Sequence, residues 1–142
     1  MKKLLALLAI TSLMGLSLLV TPAPAGDLAA TVMAANPYQK LDNKATVTIV
    51  GTGFQPDQEV TLLFTTVDGV QTDIGYALKP APKANKIGSW VTTWSCGEFI
   101  KKKLVTKGAY AITVTDSDYN VITHAPVAFY AEKKKETKKK TK

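Results

Sequence analysis

The sequence contains no arginine; all 18 of its basic residues are lysine. Arginine's planar fork is the usual reader of phosphates, carboxylates and guanine edges. Its absence argues against recognition of that kind and against sequence-specific nucleic-acid binding. Cys96 is the only cysteine, so an internal disulfide is excluded. His124 is the only histidine, and one His with one Cys cannot build a zinc site without carboxylates recruited from elsewhere. No cysteine stands at the end of the N-terminal apolar run, so no lipid-modified anchor is expected, and no second long apolar run lies near the C-terminus. After that first run no stretch sustains a helical period, though residues 97–105 could form one helical turn.

What is present at the two ends is apolarity at one and positive charge at the other. Residues 1–25 read as a secretory signal peptide. Lys2 and Lys3 precede an uncharged apolar run over 4–20, and Ala23 and Ala25 give the small-x-small pattern of a cleavage site. Cleavage is expected after Ala25; a later cut near Ala34 or Ala35 and an uncleaved anchor are the alternatives. Residues 131–142, "AEKKKETKKKTK", hold seven Lys and two Glu and are expected to be a disordered tail.

Without residues 1–25 the chain carries 16 Lys against 11 acids, +5, and the tail alone accounts for +5. Residues 26–130 balance nine Lys against nine acids. Attraction to anions is therefore expected in the tail, with Lys133, Lys134, Lys135, Lys138, Lys139, Lys140 and Lys142 as the polyanion contacts. Outside the cytoplasm such a tail could gather on acidic lipid, anionic wall polymer, acidic polysaccharide or DNA without discriminating among them. A solubilising tail with no partner is the plain alternative.

The middle of the chain alternates, with β-branched residues and frequent turns. Val47 and Ile49 alternate with Thr46 and Thr48 in 45–51; Val60, Leu62 and Phe64 share a face in 59–66; Val70, Ile74, Tyr76 and Leu78 share one in 70–78. Trp90 and Trp94 fall together in 87–95, Tyr110, Ile112 and Val114 in 109–116, and Val121, Val127 and Phe129 in 121–130. This period of two is the half-buried strand signal, and 29–34 is a weaker seventh strand. Asp68-Gly69 marks a hairpin, 79–86 a loop that Pro80 and Pro82 keep out of a ladder, and 116–120 a turn. Pro126 puts its strand at an edge or a bulge. The pattern predicts an all-β, Ig-like antiparallel β-sandwich of about seven strands over 45–130, preceded by a linker at 26–44 that could hold the first strand. Tyr110, just inside a late strand after Gly108, is placed either to bond back across the corner of such a sandwich or simply to fill the core.

"GTGFQPDQEV" resembles a phosphate-binding glycine loop only superficially. A dinucleotide loop needs a helix next and a third glycine. Here Pro56 and an alternating run follow. The stretch is expected to be a strand-turn-strand connection in which Gly51 and Gly53 allow a bulge or sharp bend and Phe54 packs over the sandwich end.

"VTIVGTGFQPDQEVTLLF" resembles the opening of IPT/TIG-type and related bacterial Ig-like domains, and "GAYAITVTDSDYNVI" resembles the closing hairpin of many extracellular bacterial Ig-like modules. The two matches cover about a third of the chain left after export, and neither carries a fixed site. The resemblance implies a sandwich used for adhesion, spacing or binding, usually without catalysis. The lone domain with a lysine tail departs from that pattern.

The residues that could carry chemistry each have a structural reading beside the functional one. Cys96 is either a small buried residue beside the tryptophans, a bridge to a partner chain, or a reactive free thiol. A Cys96–His124 dyad would need their strands to be neighbours, and no nucleophile motif surrounds either. Asp116, Asp118 and Asn120 have the D-x-D-x-N spacing that begins a Ca²⁺ loop, but Val121 and Val127 stand where the glycine and the bidentate acid belong; a hairpin turn is the alternative. Trp90 and Trp94 could form a platform for a glycan or fill the core. No acidic residue lies in an apolar run that would raise its pKa for glycoside hydrolysis. No cofactor is expected. The expectation is an exported, non-catalytic binding or adhesion module, meeting an anionic polymer or lipid through the tail and a protein or glycan through the sandwich. A structural or assembly subunit is the alternative.

Overall fold

A computed structural model describes residues 29–132. Nine strands and one short helix follow in chain order: β1 Thr31–Ala34, β2 Tyr38–Lys40, β3 Thr46–Thr52, β4 Thr61–Thr65, β5 Gln71–Asp73, β6 Leu78–Lys79, β7 Trp90–Ser95, α1 Gly97–Lys101, β8 Gly108–Thr115 and β9 Val121–Tyr130. One sheet has the order β1-β3-β7-β6 and the other β2-β9-β8-β4-β5. This is the immunoglobulin arrangement, the ABED strands in one sheet and GFC in the other, with an added edge strand at each side of the second. Every pair is antiparallel except β2 with β9, which run parallel.

The core forms where the alternating faces meet. Val47, Ile49, Leu62, Phe64, Ile112, Val114, Ala125 and Val127 are buried from both sheets. At one end Trp94 packs against Phe64 (ring centroids 4.8 Å apart), Phe99 (5.4 Å) and Phe129 (6.3 Å), and so joins the two sheets to α1. At the other end Phe54 meets Trp90 edge-on at 5.6 Å. That contact explains two glycines. A Cβ on Gly51 would meet the Trp90 ring at 2.2 Å, and Gly53 has φ 79°. The Gly-x-Gly step is a packing device, and Phe54 covers the sandwich end.

The count of about seven strands is corrected to nine by two changes of sheet. Residues 26–44, expected as a linker that could hold the first strand, contribute two: β1 falls in the expected 29–34, and β2 is additional. β1 pairs with β3, and β2 crosses to β9. Asn36 holds the switch: its Oδ1 accepts from the Thr48 N–H at 2.9 Å and its Nδ2 donates to the Thr46 carbonyl at 3.2 Å. Residues 70–78, expected as one strand, break at a 3-10 turn, Gly75–Ala77, beyond which β6 joins the other sheet. Ile74 and Leu78 are buried as expected, but Val70 and Tyr76 are exposed because one lies in the hairpin turn and the other in the 3-10 turn. Val121 is exposed as well: a bulge between Val114 and Thr115 shifts the register, and Ile122 packs on the core in its place.

The loop expected to stay out of the ladder makes one isolated bridge, Glu59 with Lys83, and Pro82 takes part through its carbonyl, which accepts from Val60 N–H. Pro126 sits on a free edge. Ala128 N–H, on the same side of β9, bonds the Pro37 carbonyl, so the donor that Pro126 lacks would face the stretch that β2 does not reach.

Candidate functional site

Cys96 is fully buried at the N-terminus of α1 and donates to the Ala45 carbonyl at 3.2 Å. Burial pushes its thiol up to about 11, the reverse of an activated nucleophile. His124 pairs with Thr113 and is exposed, while its neighbour Ala125 is buried. It therefore faces solvent on the outer side of the five-stranded sheet. A sheet separates Cys96 from His124, and the dyad does not form.

Trp90 and Trp94 are 5% and 0% exposed. They are core residues and offer no platform, which corrects that alternative. Tyr110 closes the corner: its hydroxyl accepts from the Thr106 N–H at 3.0 Å and donates to the Thr106 carbonyl at 3.2 Å. Its ring also packs on Phe64 and Phe129.

In the 116–120 turn, Asp116 Oδ1 accepts from the Asp118 and Asn120 N–H groups, and its Oδ2 from the Asn120 side-chain amide, each at 2.9 Å. The Asn120 amide and these backbone donors hold the Asp116 carboxyl below the usual aspartate range. The carboxylate is committed to closing the turn. Among the described residues no three His, Cys, Asp or Glu side chains are grouped to hold a metal. A shallow cleft of about 450 Å³ has Glu59 and Asp73 in its lining. Glu59 pairs with Lys83 at 3.3 Å, and Asp73 accepts from the Gly75 N–H at 2.7 Å.

Charge is distributed by end of the sandwich. One end is built from loop 41–45, turn 66–70, α1 with the segment to 107, and the close of β9. Backbone hydrogen bonds join these parts: Cys96 N–H to the Ala45 carbonyl, Val67 N–H to that of Leu104, and Leu41 N–H to that of Tyr130. Gly97 packs on Asn43, where a Cβ would meet the carbonyl at 1.9 Å. Six lysines lie here, Lys40, Lys44, Lys101, Lys102, Lys103 and Lys107, against Asp42, Asp68, Glu98 and Glu132. Lys40 pairs with Glu132 and Lys101 with Glu98, whereas Lys44, Lys102, Lys103 and Lys107 have no carboxylate partner among the described residues.

The opposite end holds Asp57, Glu59, Asp116 and Asp118 against Lys83 and Lys86. The neutral body is thus net +2 at one end and net −2 at the other. The expected tail contacts, Lys133 to Lys142, lie outside the described residues, as does the expected signal segment. The chain reaches them from Glu132, at the lysine end. Residues 101–107 are the part that charge counting along the sequence passes over, because it sums what the fold separates.

No family model and no curated protein matches the chain. Among solved structures it is similar to the "D00-D0 domain of Intimin", at 16% identity and a TM-score of 0.45 over 73% of this chain. The match spans 48% of that chain, about half its length. The assignment rests instead on the strand order and the Tyr110 corner: residues 29–132 form an Ig-like β-sandwich.

Proposed function

We propose that the chain is an exported, non-catalytic Ig-like domain, a binding or adhesion module held at the cell envelope or outside the cell by lysines at one end. The observation that carries this reading is where the chain leaves the sandwich. Glu132 sits beside Lys40 at the end that bears Lys44, Lys101, Lys102, Lys103 and Lys107, and the next ten residues add seven Lys and one Glu. Tail and folded end then act as one cationic pole on an anionic polymer or lipid. The rest of the sandwich is left to meet a protein or glycan. An IPT/TIG-like module is the finer family reading, on the Gly51-x-Gly53-Phe54 step and Pro56. The buried, high-pKa thiol of Cys96 supports a non-catalytic role.

The test has two parts. Mass spectrometry of the secreted protein is expected to find a mature start at Gly26. Retention on heparin is expected to fall steeply with salt, as counterion release requires. A protein that keeps residues 4–20, or one that heparin does not retain at low salt, refutes the reading.

An assembly subunit is the second reading, supported by an apolar row on the outer face of the four-stranded sheet. Met33, Val50 and Val91 are register partners across β1, β3 and β7, and Met33 and Val91 are more than half exposed. Sedimentation velocity tests it: Val91→Lys would dissociate an assembly built on that face.

A further inference from the structure

We infer that the lysine end docks on a lipid bilayer containing anionic lipid, with Val67 and Val70 entering the headgroup layer and Lys102, Lys103 and Lys107 meeting the phosphates. The inference rests on the tethering reading above, and it commits that pole to a bilayer rather than a soluble polyanion.

Two apolar side chains beside these lysines favour a bilayer, although the Asp68 carboxylate stands between them. Val67 and Val70 are 52% and 57% exposed in the turn that joins β4 to β5. The Val67 N–H bonds the Leu104 carbonyl at 3.0 Å, so this turn is fastened to the lysine segment. Tyr76, three-quarters exposed, stacks on Phe99 of α1 with ring centroids 6.0 Å apart. Tyr130, half exposed, closes β9 at the same end. A hydrophilic polyanion has nothing to offer two valines. The boundary between headgroups and acyl chains does, and it also suits tyrosine and lysine, whose apolar stems lie along it while the polar tips stay wet.

The backbone of α1 ends among these lysines. Lys103 N–H bonds Ile100 O and Leu104 N–H bonds Phe99 O, the paired closure of a Schellman end. Lys103 occupies the left-handed position of that motif, with φ 58°, where glycine is the unstrained residue. A lysine stands here where the backbone stores strain, as Asp57 and Tyr119 do at the other end. The remaining observation is polarity. The acidic end with Asp57, Asp116 and Asp118 faces away from a surface that the lysine end approaches, so the field of the domain favours one orientation. The ten residues past Glu132, net +6, join at the docking end.

The test uses the full mature chain and vesicles of phosphatidylcholine, with or without phosphatidylglycerol. The parent is expected to bind only the anionic vesicles. Lys102→Gln with Lys103→Gly is expected to lower vesicle affinity roughly fivefold per lysine, while the melting temperature rises as the strain at residue 103 is relieved. Val67→Ser with Val70→Ser is expected to lower vesicle affinity several-fold and leave heparin retention unchanged. The chain with its seven tail lysines changed to glutamine is expected to keep measurable binding to the anionic vesicles.

Three results overturn the inference. If the folded-end lysine variant binds vesicles like the parent while the tail variant does not bind, the tether is the tail alone, and the tethering reading stands only without its folded-end lysines. If the valine variant binds vesicles like the parent, the partner is a polyanion and not a bilayer. If the parent binds neither vesicles nor heparin, both readings fall together.

Discussion

Trp90 and Gly51 act as a pair. The indole lies where a Cβ on Gly51 would be, and Phe54 closes over its edge. Trp90→Ala is expected to cost about 3–5 kcal/mol in urea unfolding, the range for deleting a buried tryptophan. A variant as stable as the parent would show that the end of the core collapses without loss.

Cys96 makes a pH prediction. Its thiol ionises near 9.0 when unfolded and about 11 when buried, so the fold favours the neutral form. The stability this confers is intact below about pH 9 and is lost as pH rises toward about 11. Cys96→Ala is expected to remove that part of the alkaline slope, read by denaturant melts of parent and variant across the window. The native thiol is also expected to resist maleimide until the protein unfolds. Labelling as fast as that of the denatured chain would mean that it is accessible. That Cys96 could be a small core residue was legible in its spacing from Trp90 and Trp94; that the Ala45 carbonyl would accept a hydrogen bond from its S–H was not, because Ala45 lies 51 positions away.

The two hairpins differ from the two sheet switches in how local their causes are. Turn 66–70 has Gly69 at φ 82° and a Thr66 N–H to Val70 O bond of 2.9 Å, as Asp68-Gly69 predicts. Turn 116–120 is closed by Asp116, whose depressed carboxyl pKa comes first from Asn120. A depressed carboxyl stabilises the fold above its unfolded pKa, and that contribution disappears as pH falls through the folded value. Asp116→Ala is therefore expected to lower the melting temperature at neutral pH and to narrow the gap to the parent on acidification, measured by thermal melts in a pH series. An unchanged gap at low pH would remove the carboxylate from the explanation. The switches at Asn36 and at Gly75–Ala77 depend on which strand lies alongside, so alternation alone reads 70–78 as continuous. At α1, the left-handed Lys103 costs about 1–2 kcal/mol relative to glycine.

Charge balance over the whole domain conceals its arrangement. Nine lysines and nine acids among the described residues sum to zero and yet form a positive and a negative end. Truncation after Tyr130 is expected to remove most heparin retention, leaving a residue due to Lys44 and the 101–107 segment. The melting temperature is expected to stay almost unchanged, since the only described bond lost with the tail is the exposed Lys40–Glu132 pair. Salt-series chromatography and a thermal melt of both proteins check this. A fall in melting temperature would mean that the tail packs on the sandwich.

Strand periodicity, the Asp-Gly hairpin and Tyr110 after Gly108 were enough to read an Ig-like sandwich from the sequence, because each is a local pattern with a local cause. That Gly51-x-Gly53 is not a phosphate loop was legible for the same reason, since no helix pattern followed it; that Gly51 is a strand residue lying against the Trp90 ring was not. Only the tertiary structure decided that Trp90 and Trp94 are buried, that Cys96 and His124 lie on opposite sides of a sheet, and that Tyr38–Lys40 crosses to pair with β9. It alone brought Val67 and Val70 to the lysines of 101–107 and separated charges that cancel in a sum. These facts depend on contacts between residues far apart in the chain, and a period of two carries no record of which strand will be the neighbour.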